Sequence, residues 1–231
     1  MKNKKAEQIA AKQKHKEQLK RRRSEPNLDR PAAELIEKPS ILIVCEGENT
    51  EPSYFNQFRL SSATVKSVGE GYNTISLVNR AIHLTNERQY DQVWCVFDKD
   101  DFSENDFNNA IQIAKANNFG IAYSNQSFEY WLILHFDDHQ GAGMHRKDYN
   151  DKINELLKPF NVTYDGKGNK KVTESFFELL DEIDLKTNNK RIDLAIERAE
   201  RNFNQFDHTN PAKEESSTTV FRLAKELLKY L

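Results

Sequence analysis

The chain has 231 residues, 37% of them hydrophobic and 30% charged, and a formal net charge of −2. This length and composition allow one substantial domain, or one domain with a smaller subdomain. No run of about 18 apolar residues is present, so we expect no membrane-spanning helix. Residues 1–23 contain no apolar h-region, so we expect no secretory signal. The two cysteines, Cys45 and Cys95, fall in apolar runs, which argues against a disulfide framework and favours a cytoplasmic setting.

Positive charge is concentrated at the N-terminus. Residues 1–23 hold ten Lys and Arg residues against two Glu, whereas the rest of the chain has a balance of −10. Such an arm is typical of a flexible solubilising tail or of a segment that contacts nucleic-acid phosphates. We therefore predict a basic arm and linker over 1–39, an α/β domain over 40–136 and a helical cap over 137–231.

Strand and helix patterns alternate through the predicted α/β domain. Short, continuous apolar runs are typical of strands buried on both faces of a parallel sheet. The predicted strands span 40–45, 63–68, 92–97 and 120–123, and the predicted helices span 51–60, 74–87, 103–117 and 127–136. Their alternation indicates a Rossmann-type parallel sheet flanked by helices. After residue 137 we predict no strand, only cap helices over 147–158, 173–183, 189–205 and 216–231.

Polar and acidic residues follow three of the predicted strands. Glu46 and Gly47 follow the first strand, Asp98 and Asp100 the third, and Asn125 the fourth. Because the carboxyl ends of parallel strands meet at the switch point of the sheet, we expect these residues to lie close together. Neighbouring carboxylates repel one another unless a hard cation lies between them. The sequence therefore predicts a Mg²⁺ (or Mn²⁺) site, with Gly47 and Asn125 as candidate substrate contacts.

Each of these residues also has a purely structural interpretation. Glu46 would be favoured by the dipole of the following helix, and Asp98 and Asp100 would serve as turn or N-cap residues before the helix at residue 103. Gly47 would allow the backbone to approach a ligand or to adopt a positive φ.

Several further residues are candidates outside the strand ends. Glu51 is either a first-turn acid or a ligand that reaches back to a second metal, and Glu129 is either a further carboxylate of the site or a helix-dipole acid. Lys170 and Lys171 of the predicted cap are candidate contacts for a substrate strand. His135 lies on an apolar helix and is predicted to be a core histidine.

Four segments resemble the motifs of a known family. The segments IVCEGENTEPSYF (43–55), VFDKDDF (96–102) and SNQSFEYWLILHF (124–136) are similar to successive motifs of the RloB-like family, and residues 210–211 with 217–220 are similar to its last motif. A strand ending in Glu-Gly followed by a strand ending in Asp-x-Asp also resembles a Toprim domain. The resemblance implies a Toprim-like fold, the site acids Glu46, Asp98 and Asp100, and a role in bacterial phage-defence or restriction-linked loci beside an RloA-type ATPase.

The sharpest hypothesis is a metal-dependent nuclease that hydrolyses phosphodiester bonds of DNA or RNA. Asp98 and Asp100 would hold the metal against the scissile phosphate, and Glu46 would be either a metal ligand or the general base. One alternative is a non-catalytic metal- or nucleic-acid-binding subunit of a defence complex, and another is an aspartate-nucleophile phosphatase. The helix predicted over 216–231 is either core or the face of a homo-oligomer, with core the favoured interpretation.

Overall fold

The computed structural model describes residues 9–17, 38–67, 74–139 and 143–231. The chain divides into two units, residues 1–37 and residues 38–231. In the first unit, residues 9–17 form a helix, α1, whose side chains are exposed. The rest of the predicted basic arm, and the linker up to residue 37, lie outside the described residues.

A five-stranded sheet forms the centre of the second unit. Its strand order is β2-β1-β3-β4-β5, in which β1 to β4 run parallel and β5 pairs antiparallel with β4. The strands are β1 (Ile41–Cys45), β2 (Ala63–Ser67), β3 (Gln92–Asp98), β4 (Gly120–Asn125) and β5 (Ser217–Thr218). This architecture confirms the predicted α/β class with a mostly parallel, Rossmann-like sheet.

Helices connect and cover the strands. They are α2 (Thr50–Asn56), α3 (Thr74–Glu87), α4 (Glu104–Ala116), α5 (Glu129–Leu134), α6 (Arg146–Leu157), α7 (Glu174–Asp181), α8 (Arg191–Phe203) and α9 (Val220–Leu228), with 3₁₀ turns at Lys158–Phe160 and Pro211–Lys213. Right-handed crossovers place α2 on one face of the sheet and α3 and α4 on the other, and α3 packs against α4. No described helix is long and apolar enough to cross a membrane.

Strand β1 shows why the apolar run of the sequence becomes a central strand. All five of its side chains are completely buried, which requires cover on both faces of the sheet. Cys45 and Cys95 are free thiols in this core. Burial raises the pKa of Cys95 to about 12 and raises that of Cys45 well above its usual range, so neither thiol is a reactive group.

The C-terminal segment departs from the sequence prediction. Strand β5 joins the edge of the sheet at β4, although no strand is predicted after residue 137. The hydroxyl and amide of Thr219 tie it further to β4, because the Thr219 N–H donates to the Tyr123 carbonyl at 2.8 Å and the Tyr123 N–H donates to the Thr219 hydroxyl at 2.9 Å. Helix α9 consequently begins at Val220, and its Leu223 and Leu227 are completely buried. This burial supports the core interpretation of the last helix.

Candidate functional site

The topology of the sheet creates a switch point between β1 and β3. The chain leaves β1 for β2 on one side and returns to β3 on the other, and ligands of parallel sheets bind where the strand order reverses in this way. The register pairs Cys45 with Val96, and the Glu46 N–H donates to the Val96 carbonyl at 2.9 Å. Glu46 and Asp98 therefore leave neighbouring strands at the same edge, as the strand-end pattern predicts.

Backbone amides hold the carboxylates of Glu46 and Asp98. The Asp98 N–H donates to Glu46 Oε2 at 3.2 Å, and the Phe128 N–H donates to Asp98 Oδ2 at 3.0 Å. Burial raises the pKa of Asp98 well above its usual range, and the surrounding carboxylates raise it further; in order of effect they are Glu51, Asp100, Glu129 and Glu46. The structure therefore brings together all five acids that the sequence analysis names.

Asp100 and the residues after it form the turn that leaves β3. Asp100 has a positive φ of 42°, which Asp tolerates better than most residues, and its N–H donates to the Gln126 carbonyl at 2.9 Å. The cap of α4 is Ser103, whose hydroxyl accepts the Asp106 N–H at 3.1 Å. Neither Asp98 nor Asp100 caps this helix, so the capping interpretation does not explain them.

Gly47 leaves room for the carboxylate of Glu51. A Cβ added at Gly47 would lie 2.4 Å from Glu51 Oε2, and the φ of Gly47 is outside the left-handed region. The glycine is therefore explained by this close approach and not by a positive φ. Glu51 is only 6% exposed; burial raises its pKa to about 7, and the charges of Glu129 and Asp100 contribute to the rise.

Glu129 links the acids to the C-terminal half of the chain. It begins α5, and its two carboxylate oxygens accept hydrogen bonds from the Ser127 hydroxyl at 2.7 Å and from the Tyr164 hydroxyl at 2.8 Å. The Tyr164 hydroxyl also lies 3.1 Å from the Thr50 hydroxyl. Sequence reasoning missed Tyr164, whose only signal is a single aromatic residue beside a glycine-containing turn.

A polar cavity of 470 Å³ opens beside Glu129. Its lining residues are Glu129, Lys147, Asn150, Gly166, Lys167 and Lys170. Lys170 is half-buried, and its positive charge counteracts the rise in the pKa of Glu51. Lys171, the neighbouring candidate, is exposed and does not line the cavity.

Asn125 and His135 have structural contacts in the core. Asn125 is 1% exposed, and its amide donates to the Pro211 carbonyl at 2.9 Å. His135 is also 1% exposed, with Nδ1 3.0 Å from the Trp131 carbonyl oxygen. Burial lowers the pKa of His135 to about 3, so it is a neutral core histidine.

Comparison with known protein families identifies the family of the chain that carries this site. The family model described as RloB-like protein matches residues 41–227. The chain belongs to the RloB-like family. No curated protein matches the chain, and no solved structure matches it. In this RloB-like chain the matched range contains the five acids and the lysines of the cavity.

The residue types of the site suit a metal ion, whereas the positions of the described side chains do not form a metal site. Asp98 and the four carboxylates that raise its pKa offer the oxygen ligands that Mg²⁺ and Mn²⁺ prefer. Within residues 9–17, 38–67, 74–139 and 143–231, however, no group of three His, Cys, Asp or Glu side chains is arranged to hold a metal ion. The residue types of this RloB-like site fit a hard cation.

Proposed function

We propose that this RloB-like protein is a metal-dependent nuclease that hydrolyses phosphodiester bonds at a Toprim-like site. One observation carries the proposal: Glu46 and Asp98 extend from adjacent parallel strands at the switch point, where Asp98 lies among four other carboxyl groups. Such a concentration of negative charge is unfavourable unless a cation compensates it. A cluster that a cation compensates is the arrangement that metal-dependent phosphoryl transfer uses.

The roles of the residues follow from their positions. Glu46, Asp98 and Asp100 would hold Mg²⁺ or Mn²⁺, with Glu51 and Glu129 as further carboxylates of the site. The bound metal would stabilise negative charge on the phosphate and lower the pKa of an attacking water. The amides of Asp98 and Phe128 orient the two strand-end carboxylates. Glu46 is proposed as either a ligand or the general base.

The carboxyl group of Glu51 is suited to proton transfer beside these acids. Its pKa of about 7 is the range in which a carboxyl group both accepts and releases a proton at neutral pH. The absence of a side chain at Gly47 leaves room for the carboxylate of Glu51.

The biological setting is part of the same proposal. Membership of the RloB-like family supports a role in bacterial defence against phage, in the cytoplasm, with an RloA-type ATPase as partner and DNA or RNA as substrate. A homo-oligomer is also compatible with this role; the apolar face of α9 is buried within the chain.

The test compares the pair Asp98 and Asp100 with Asp101, a single aspartate in the same turn. Wild type, the Asp98→Asn/Asp100→Asn double variant and an Asp101→Asn control are incubated with total cellular RNA and plasmid DNA in Mg²⁺, Mn²⁺ or EDTA. Asp101 is exposed in the same turn, so its variant changes local charge without changing the buried cluster. We expect metal-dependent cleavage by wild type and control, and a loss of about 100-fold or more in the double variant.

Two results would overturn the nuclease proposal. One is cleavage that survives in the double variant or in EDTA, and the other is intact nucleic acid even when the ATPase partner is co-expressed. The second result would favour a non-catalytic subunit, which the lack of a preassembled metal shell among the described residues also supports. An aspartyl-phosphate trapped by a fluoride analogue would identify a phosphatase instead.

A further inference from the structure

The segment from Asp165 to Lys170 is a tightly built turn. The two Asp165 carboxylate oxygens accept the Gly168 N–H at 2.9 Å and the Asn169 N–H at 3.1 Å, and the Asp165 carbonyl accepts the Lys170 N–H at 2.9 Å. A Cβ at Gly168 would lie 2.1 Å from Asp165 Oδ2. These hydrogen bonds specify a defined turn.

Neighbouring elements fix this turn, which we call the lysine turn, beside the acids. The Gly166 N–H donates to Asn150 Oδ1 of α6 at 2.9 Å. Immediately before the turn, Tyr164 bonds to Glu129 and contacts Thr50. The lysine turn is therefore attached both to α6 and to the acidic site, and its position does not depend on a bound ligand.

The lysine turn and α6 supply the positive charge of the cavity. Lys167 and Lys170 of the turn and Lys147 of α6 line it, and Glu129 is the one carboxylate among the described lining residues. Lys167 pairs with Asp151 only at 3.9 Å, with both side chains more than three-quarters exposed, and such a pair contributes little binding energy. The ammonium group of Lys167 is therefore available to an anion.

The shape and chemistry of the cavity indicate the kind of anion. A volume of 470 Å³ lies in the range of ligand pockets that hold a small molecule or a nucleotide-sized group. Within the part of the chain that the structure describes, no aromatic ring lines the cavity, so these residues do not supply the stacking that binds bases in single-strand channels. Lysines without aromatic partners favour contact with phosphate over contact with bases.

We infer that this cavity binds a backbone phosphate of a nucleic-acid strand next to the phosphate held at the acids, through Lys147, Lys167 and Lys170. The inference rests on the proposed nuclease function and extends it, because Glu129 belongs both to the acid cluster and to the cavity wall. A strand that lies in the cavity therefore continues directly to the acids. Contact through phosphates predicts binding that depends on salt and not on sequence.

The experiment measures binding of a labelled 15-nucleotide single strand by fluorescence anisotropy, with the full chain in EDTA, over a range of salt concentrations. The test protein is the Lys147→Ala/Lys167→Ala/Lys170→Ala variant. Its matched control, Lys115→Ala/Lys158→Ala/Lys186→Ala, removes the same charge from exposed positions that do not line the cavity. Urea unfolding establishes that both variants are folded.

The expected result is a change in the salt dependence of binding. The slope of log Kobs against log salt should become shallower by about 0.7 in the cavity variant, the amount for one lost single-strand phosphate, and should stay at the wild-type value in the control. An oligothymidine and a mixed-sequence strand should bind wild type with the same affinity. Equal slopes in the two variants, or a strong preference for one sequence, would overturn the inference.

The readout separates this inference from the nuclease proposal. If the cavity variant binds the strand more weakly and none of the proteins cleaves nucleic acid, the nuclease proposal is refuted and the phosphate site is supported. Metal-dependent cleavage with no effect of the three cavity lysines on the salt slope would refute the phosphate site and leave the nuclease standing.

Discussion

Replacing Glu51 with Gln should make the protein more stable at neutral pH. Glu51 is 6% exposed, and its pKa rises from 4.5 to about 7 on folding, first because of burial and then because of neighbouring carboxylates. The folded state therefore holds a proton that the unfolded state loses between these two pH values. Each pH unit in this interval removes about 1.4 kcal/mol from the free energy of unfolding, so the total cost at pH 7.5 is roughly 3 kcal/mol.

The difference in stability between the Glu51→Gln variant and wild type should depend on pH. Below pH 4.5 Glu51 is protonated in both states, and the Gln variant and wild type should have the same stability. As the pH rises towards 7, wild type loses stability and the variant does not, so the difference between them grows. Above pH 7 the difference should stay constant.

The measurement is urea unfolding of both proteins at pH 4.5, 6.0 and 7.5 in EDTA. Glu48→Gln is the matched control, because Glu48 is exposed in the same loop and its replacement changes the charge without removing a buried carboxyl group. A difference between Glu51→Gln and wild type that is equal at the three pH values would refute the reasoning. So would a variant less stable than wild type at pH 7.5.

Three further substitutions test individual contacts. Gly47→Ala places a methyl group 2.4 Å from Glu51 Oε2 and should cost about 1–3 kcal/mol in urea unfolding; an unchanged midpoint would contradict the close approach. Tyr164→Phe removes the hydroxyl that donates to Glu129 and should cost about 1–2 kcal/mol, whereas no loss would show that this bond is not formed. Leu227→Ala should lower the free energy of unfolding by about 2–5 kcal/mol, because Leu227 is completely buried. Its control, Leu231→Ala at a 69% exposed position, should change that free energy very little. Equal effects of the two substitutions would contradict the core position of α9.

Local patterns in the sequence are sufficient to predict the strands and helices that precede the cap. The apolar run at Ile41–Cys45 predicts β1, and the helical period predicts α3 with the observed bounds Thr74–Glu87. Helix α2 is shorter than predicted and ends at Asn56, because the chain soon enters the left-handed region at Arg59, where φ is 51°. No apolar pattern reports such a turn.

The candidate acids were predictable for a related reason. The end of a strand is visible in the sequence, and parallel strands bring their carboxyl ends to one edge. The positions of the strand ends in the sequence therefore predict that Glu46 and Asp98 lie close together. They leave open why residue 47 is a glycine, because the answer depends on the position of the Glu51 carboxylate.

Tertiary structure alone decided which residues of the C-terminal half reach the site. Strand β5 has two residues, Ser217–Thr218, too few to produce a periodic pattern, and it forms because β4 offers an open edge. Lys170 and Lys171 are equivalent in the sequence, yet the lysine turn directs only Lys170 into the cavity. Contacts such as Tyr164 to Glu129 join residues 35 positions apart, and only the packing of the folded chain brings them together.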